Sequence, residues 1–297
     1  MSPALMKILR RAPLSQPGEA ISIIKEDGGV ILTGFPVEQI EQVNQDMKDH
    51  LLKRFQDRSW DERYHGRIYC GLLYGLSKTM REDIILQENV QSIVNHFLRT
   101  TNPPFVDLNS EPGRSTNAIL SAASTIATRP GGKAQALHRD DSIWQKVHAS
   151  QEDTGYCVGS DISMSLLVPG VTSTRENGAT MFVPRSHLWA DERQPKTPEE
   201  VLTVDMKPGE AFLFLGSALH GGGTNSSDAD RILHSVFFCS SWARPESNQF
   251  VWWDKNDVET WSLDAQKLAC YVTDKMLGIC DDMDPVDALT AKAAAVG

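Results

Sequence analysis

The chain is poor in cysteine, and its cysteines form no pattern. Cys70, Cys157, Cys239, Cys270 and Cys280 are odd in number, and no Cys-Xaa-Xaa-Cys occurs. A disulfide framework is therefore not expected; reduced, buried thiols in a cytoplasmic protein are. Long apolar runs are missing as well. None approaches the roughly 20 residues of a membrane span. Positive charge is in deficit: 29 Lys and Arg stand against 39 Asp and Glu, a formal net charge of -10. Such a chain is a poor partner for nucleic acid or an anionic membrane surface. There are no internal repeats and no low-complexity linker apart from the Ala-rich last residues.

What is present is the composition of a globule. With 40% hydrophobic and 23% charged residues over 297 positions, one sizeable core can be built. Residues 1–18 carry Lys7, Arg10 and Arg11 but no acid, and Pro3, Pro13 and Pro17 interrupt them. They read as a flexible N-terminal arm. Residues 19–297 read as a single domain.

Periodicity divides that domain in three. In front, Glu19–Asp27 reads as a helix stopped by Gly28-Gly29, Gly29–Gly34 as a strand, and Val37–Leu52 as a helix with apolar residues at 37, 40, 43, 47 and 51. Trp60–Gly75 reads as a loop or irregular strand, and Ile84–Leu98 as a helix. From Asn117 to Ala243 short strand-like runs dominate: 118–128, 133–138, 162–168, 179–183, 202–206, 210–215 and 231–242. Gly, Pro, Asn and Asp separate them, as in an all-β sandwich or barrel. Behind them, Ser262–Leu277 carries a helical stripe ended by Gly278.

The chemistry starts at Gln135-Ala136-Leu137-His138-Arg139-Asp140. If this stretch is extended, His138 and Asp140 point to one side and Arg139 to the other. An imidazole and a carboxylate on one face chelate a divalent first-row metal, and the usual set is two His and one carboxylate. The plainer explanation is a strand-end pair with a structural role, including an ion bridge by Arg139. A kinase catalytic loop is excluded, because position 145 is Gln rather than Asn and no Asp-Phe-Gly follows. The second histidine must come from afar. His220 follows the apolar run 211–215 and precedes three glycines, which let backbone pass close to a ligand. Alone it is as readily a loop histidine, as are His65, His148 and His187. Arg231 opens a mostly apolar strand, and if buried it needs an anionic partner. That partner is either a protein carboxylate or the far carboxylate of a bound diacid.

The order His-Xaa-Asp, distal His, then Arg resembles the Fe(II)/2-oxoglutarate dioxygenases. Glu176-Asn177-Gly178-Ala179-Thr180 followed by Pro184-Arg185-Ser186-His187 is similar to the "ENGAT…GSH" stretch of the phytanoyl-CoA dioxygenase-like family, with Arg185 where Gly is usual. The segment 135–140 resembles that family's "QPxHRD", with Ala136 where Pro is usual. Lys25–Gly34 resembles its opening helix and strand, and Ser77–Asp83, more weakly, the segment before its next helix. The likeness runs from about Ile23 to Leu277 and is closest to the fungal enzymes that oxidise alkaloids and meroterpenoids.

The resemblance implies a mainly β fold with flanking helices, a double-stranded β-helix or cupin-like jelly roll. It implies Fe(II) held by His138, Asp140 and His220, with 2-oxoglutarate and O₂ at the remaining positions. It also implies 2-oxoglutarate held by Arg231, with Thr180 and Gln135 as further contacts, and a homodimer. Thr180 is about as readily an ordinary strand residue. On an ideal strand Gln135 would face away from His138, so its role rests on the resemblance alone. Tyr69, Tyr74 and Trp144 are candidates for the wall of a bulky, mostly apolar substrate. Halogenating relatives lack the carboxylate that Asp140 supplies, so hydroxylation, desaturation, endoperoxide formation or rearrangement is expected instead. The competing classes are a non-redox metal-binding jelly roll and an isomerase on the same fold.

Overall fold

The computed structural model describes residues 8–56, 66–101, 115–273, 277–280 and 283–289. Its centre is a seven-stranded sheet in the order β1-β2-β10-β7-β12-β6-β3. These strands are β1 (Arg11–Pro13), β2 (Gly29–Thr33), β3 (Arg67–Gly71), β6 (Ile119–Thr128), β7 (Ser163–Pro169), β10 (Glu210–Leu215) and β12 (Arg231–Cys239). All neighbours are antiparallel except β1 and β2. A smaller sheet joins β11 (His220–Gly222), β8 (Thr180–Phe182) and β9 (Leu202–Thr203). A two-stranded ribbon pairs β4 (Thr100–Thr101) with β5 (Ser115–Thr116).

Both faces of the large sheet are buried, and the strand period assigns each residue to one of them. In β10, Ala211, Leu213 and Leu215 join the helix-side core, whereas Phe212 and Phe214 join the core between the sheets. In β2, Val30 and Leu32 face the helices and Ile31 faces the small sheet. The helix side is covered by α1 (Pro17–Asp27), α2 (Val37–Gln56) and α3 (Glu88–Leu98). Ile40, Val43, Met47 and Leu51 form the buried stripe of α2 that its periodicity predicts. Between the sheets, Phe212 stacks on Phe214 with ring centroids 4.9 Å apart, and Phe182 meets Phe212 edge-on. Each ring contributes roughly 1.5–3 kcal/mol by its burial. The architecture is a jelly roll with flanking helices, as expected.

Several local expectations change. Arg11–Pro13 lies inside the expected flexible arm but pairs with β2 in parallel, and α1 starts at Pro17. The ladder and the proline at the first turn of α1 fix this part; residues 1–7 lie outside the described residues. The expected strand 133–138 is not regular: only His138 forms a bridge, to His220. Pro130-Gly131-Gly132 turns the chain off the large sheet, and opposite β11 the Gly222 N–H goes to the Gln135 side chain instead of a main-chain carbonyl, which interrupts the ladder. Within Trp60–Gly75, residues 66–75 are a turn, β3 and the start of a short helix, Leu73–Leu76. Residues 57–65, including His65, lie outside the described residues. The expected helix at 84–98 is a π-helical stretch, Thr79–Ile85, followed by α3. The C-terminal helix spans only Leu263–Leu268 among the described residues. No helix among them is long and apolar enough to cross a membrane.

Candidate metal centre

The predicted donors converge. One donor atom each from His138, Asp140 and His220 lies within 4.8 Å of the others. His138 Nε2 is 3.7 Å and His220 Nε2 is 3.4 Å from Asp140 Oδ1. The imidazole centroids are 4.5 Å apart. The backbone produces this arrangement directly. His138 N donates to His220 O at 2.9 Å and His220 N donates to His138 O at 3.0 Å. A reciprocally bonded antiparallel pair puts both side chains on the same side. Arg139 is extended (φ -111°, ψ 133°), so Asp140 returns to the side of His138.

Each imidazole is also set in one tautomer. His138 Nδ1–H donates to Ala136 O at 2.9 Å and His220 Nδ1–H donates to Ala218 O at 3.1 Å. Both Nε2 lone pairs are thereby turned to the shared space, the orientation metal-ligating histidines take. Ser165 Oγ donates to Asp140 Oδ2 at 2.6 Å and leaves Oδ1 facing the histidines. His138 is the more open ligand, with 39% of its side chain exposed against 9% for His220. Burial works against charge at Asp140, but His220 and the Ser165 bond outweigh it and hold the carboxyl below its usual range. Burial and the neighbouring His220 keep the His138 pKa down. Burial also opposes charge on His220, yet Asp140 outweighs it and raises the pKa. A divalent ion would take over that proton's role and release it.

Arg139 does point away. It is buried, its Nη1 meets Asp191 Oδ1 at 2.5 Å, and its Nη2 donates to the carbonyls of Ser186 and Trp189. The ion bridge and the chelating pair thus coexist on opposite sides of one strand end.

Arg231 is buried at the start of β12, and its Nη2 donates to Thr128 Oγ1 at 2.8 Å. Its Nε and Nη1 have no hydrogen-bond partner. No carboxylate among the described residues pairs with it, and burial together with nearby Arg67 pushes its pKa down to about 10. A buried guanidinium with two free donor nitrogens is costly unless an anion arrives. Arg67 shares this space: its Nη1 donates to Lys133 O and its Nη2 to Gly223 O, with Nε unpartnered. Its charge reaches both Arg231 and His138. A Cβ at Gly222 would meet Arg67 Nη2 at 2.8 Å and Gln135 Oε1 at 2.9 Å. Gly222 is two residues beyond His220 on β11, so that Cβ would share the histidine's face. The cationic pocket therefore adjoins the metal ligands.

The remaining predicted residues are spread around the site. Gln135 Oε1 accepts from Gly222 N at 2.8 Å and its Nε2 lies 3.5 Å from Tyr69 Oη. Irregular backbone frees Gln135 from strand alternation and lets it reach the cationic pocket. Tyr69 thus stands beside that pocket. Thr180 heads β8 opposite Gly222, but the hydroxyl that Arg231 finds is that of Thr128. Trp144 lines a cavity of about 220 Å³ together with His138, Asp140, Ser165 and Phe237. Tyr74 is not a wall residue. It is 1% exposed, donates to Ala265 O at 2.7 Å and packs edge-on against Trp261. Burial beneath the C-terminal segment makes it core. His187 is core too, its Nε2–H donating to Lys25 O, and His148 bridges Asp141 and Asp191.

Arg67, Thr128 and Ser165 were not singled out from the sequence. One signal was available: Arg67 opens an apolar run, as Arg231 does. Thr128 and Ser165 gave none, because small hydroxyl residues in strands are ordinary.

A sequence profile of the phytanoyl-CoA dioxygenase family matches residues 24–233. Among curated proteins, dioxygenase swnH1 of Arthroderma benhamiae is 32% identical over 288 residues, covering 95% of this chain and 92% of the relative. Dioxygenase cdmA of Talaromyces verruculosus is 30% identical over 228 residues, covering 73% and 70%. Among solved structures, the non-haem α-ketoglutarate-dependent epimerase SnoN of nogalamycin biosynthesis aligns with a TM-score of 0.54 at 16% identity, covering 80% of this chain and 88% of that one. AviO1 from Streptomyces viridochromogenes Tue57 aligns with a TM-score of 0.52 at 16% identity, covering 77% and 97%. These two speak for the fold. A profile match over most of the chain, joined to near-full-length likeness to curated dioxygenases, places the chain in the phytanoyl-CoA dioxygenase family: it is a dioxygenase dependent on Fe(II) and 2-oxoglutarate.

Proposed function

We propose that His138, Asp140 and His220 hold Fe(II), that Arg231 with Thr128 holds the distal carboxylate of 2-oxoglutarate, and that the enzyme oxidises a small molecule of fungal secondary metabolism. The single observation that carries this is Arg231, a buried guanidinium with Nε and Nη1 unpartnered beside a two-histidine, one-carboxylate cluster. A metal site without a diacid cosubstrate, or an isomerase, gives that arginine nothing to hold. The donor set fits the ion: two neutral imidazoles and one carboxylate suit Fe(II) and leave coordination positions open. Bound together, iron and 2-oxoglutarate supply O₂ activation, with 2-oxoglutarate leaving as succinate and CO₂.

The chain's own residues bind and position. Ser165 fixes the Asp140 carboxylate, and the Ala136 and Ala218 carbonyls fix the imidazoles. Gln135 and Arg67 border the cosubstrate space. Trp144 and Phe237 give the cavity an apolar wall that holds the reacting end of the substrate and excludes water. A single domain that takes in β1 as well as the expected 19–297, the homodimer and the cytoplasmic setting belong to the same proposal. Sedimentation of the full chain tests the dimer.

The decisive experiment is anaerobic titration with Fe(II) and then 2-oxoglutarate, read by the weak visible charge-transfer band. Wild type should develop the band. His138→Ala and His220→Ala should lose it while keeping native far-UV circular dichroism. A band that survives in either variant would overturn the ligand assignment.

A further inference from the structure

Each of the three metal ligands adjoins a residue that one short segment holds, and the chemistry described so far gives that segment no role. Residues 186–191 follow β8 and begin with the serine and histidine of Pro184-Arg185-Ser186-His187. Ser186 Oγ accepts from Leu219 N at 2.7 Å and donates to Val183 O at 2.7 Å. Leu219 immediately precedes the ligand His220. The carbonyls of Ser186 and Trp189 accept from Arg139 Nη2, and Asp191 Oδ1 accepts from Arg139 Nη1. Arg139 lies between the ligands His138 and Asp140. The segment is itself braced: Leu188 and Trp189 are buried with Val183 and Leu219, and the Arg193 guanidinium lies 3.8 Å from the centre of the Trp189 ring.

Asp191 reaches further through His148. Its Oδ1 accepts from His148 Nδ1–H and its Oδ2 accepts from His148 N, both at 2.8 Å. On the far side of the ring, His148 Nε2–H donates to Asp141 Oδ2 at 2.8 Å. A neutral imidazole has one N–H, so a ring that donates from both nitrogens is an imidazolium. Burial opposes that charge and Arg139 repels it, but Asp141 and Asp191 outweigh both. Asp141 follows the ligand Asp140 and is fully buried, so its carboxylate depends on this bond. The sequence thus offers the metal two adjacent carboxylates. The imidazolium engages the second and leaves the first to the histidines.

We infer that Asp191, His148 and Ser186 are positioning residues of the iron site: without touching the metal, they fix the backbone next to each ligand and so set the affinity and geometry with which iron is held. This deepens the proposed function and rests on its ligand assignment. Groups that orient metal ligands are worth about 10–100-fold in metal affinity. Here the orientation passes through main chain. Arg139 and Asp141 flank Asp140 on both sides, and both end on the Asp191–His148 pair. A purely structural network would stabilise the loop and leave the metal indifferent to its loss.

The test uses the full chain under anaerobic conditions. Fe(II) affinity is read by calorimetry, and ligand geometry by the charge-transfer band at saturating Fe(II) and 2-oxoglutarate. Asp191→Asn is preferred to a change at His148, which would strand the buried Asp141 carboxylate and endanger folding. The Asp191 side chain is 41% exposed, so the fold should tolerate its loss of charge. Fe(II) affinity should fall about tenfold in this variant, and the band should shift or weaken even at saturation. Ser186→Ala frees Leu219 N and should do the same from the His220 side. Glu210→Gln is the control. It breaks the ion pair with Arg11 at the start of β10, the end remote from Gly216, whose carbonyl meets Asp141 N. Its iron affinity and band should match wild type, whatever happens to its thermal midpoint. Wild-type affinity and an unshifted band in Asp191→Asn or in Ser186→Ala overturn the inference. An equal loss in Glu210→Gln overturns it too, since general destabilisation would then explain the effect. Iron binding that survives His138→Ala or His220→Ala overturns the ligand assignment instead, so the two failures are distinct.

Discussion

Arg231 and Tyr74 show how far one side chain's meaning depends on its partners. Both are buried, on neighbouring parts of one fold. Tyr74 satisfies its hydroxyl on Ala265 O and is complete. Arg231 satisfies one nitrogen on Thr128 and leaves two waiting. A completed group stabilises the fold, whereas an incomplete one costs stability that a ligand recovers. Arg231→Met should therefore leave the thermal midpoint of the ligand-free protein unchanged or raised, because an unpaired buried charge is removed. The same variant should lose nearly all stabilisation by 2-oxoglutarate, with about 3–5 kcal/mol of binding gone. Differential scanning fluorimetry with and without 2-oxoglutarate measures both. A large fall in the ligand-free midpoint would mean a structural arginine.

At the scale of elements, β11 brings metal and cosubstrate together. His220 and Gly222 share one face of this strand, and Gly223 crosses close to a neighbouring backbone. A Cβ at Gly222 meets only the ends of Arg67 and Gln135, which can swing aside. A Cβ at Gly223 meets Ala179 O at 2.6 Å, and backbone cannot. Gly222→Ala should keep the fold and weaken 2-oxoglutarate binding, as read from the charge-transfer titration. Gly223→Ala should lower stability by about 1–3 kcal/mol, the usual cost of overpacking, in urea unfolding. Reversal of that order would contradict the strand's placement. The turn Asp140–Trp144 acts on the other side of the ligands. Trp144→Ala should leave iron and 2-oxoglutarate binding intact and uncouple the reaction, so that succinate forms without matching substrate oxidation. Tight coupling in that variant would place the substrate elsewhere.

Across the whole molecule, acid sensitivity follows from two histidines far from catalysis. Burial pushes His234 down to about 3 and His187 down to about 4. His234 is held between Thr125 Oγ1 and Asn44 Oδ1, which ties β12 to β6 and α2. The unfolded chain protonates these imidazoles near pH 6.5, whereas the folded chain resists until about 3 and 4. The unfolded state therefore binds more protons in that window, and stability falls as the pH drops below about 6.5. The slope is about 1.4 kcal/mol per pH unit for each such histidine. His234→Gln should flatten the decline of the urea midpoint between pH 6.5 and 4, even if it lowers the midpoint at neutral pH. An unchanged slope would remove His234 from the account.

What the sequence determined by itself was whatever local periodicity and fixed order encode. The α2 stripe, the apolar run of β10 and the stop at Gly28 lie in short segments, where backbone period and local composition decide, and the order His138, Asp140, His220, Arg231 was legible through its resemblance to a family's motif order. Gly28 takes φ 87° and its N–H caps Ile24 O, as a left-handed helix stop requires. The tertiary structure alone decided which distant groups meet. Tyr74 and Trp144 are both aromatic residues near irregular segments, and nothing in their neighbours tells core from cavity. The chain at 249–271 covers Tyr74, while Arg244 takes the indole of Trp144 at the cavity wall. Arg67, Thr128 and Arg231 belong to strands β3, β6 and β12, which only the sheet order makes neighbours. Their shared pocket is a product of strand pairing across 164 positions, and a pairing over that distance leaves no period in the sequence.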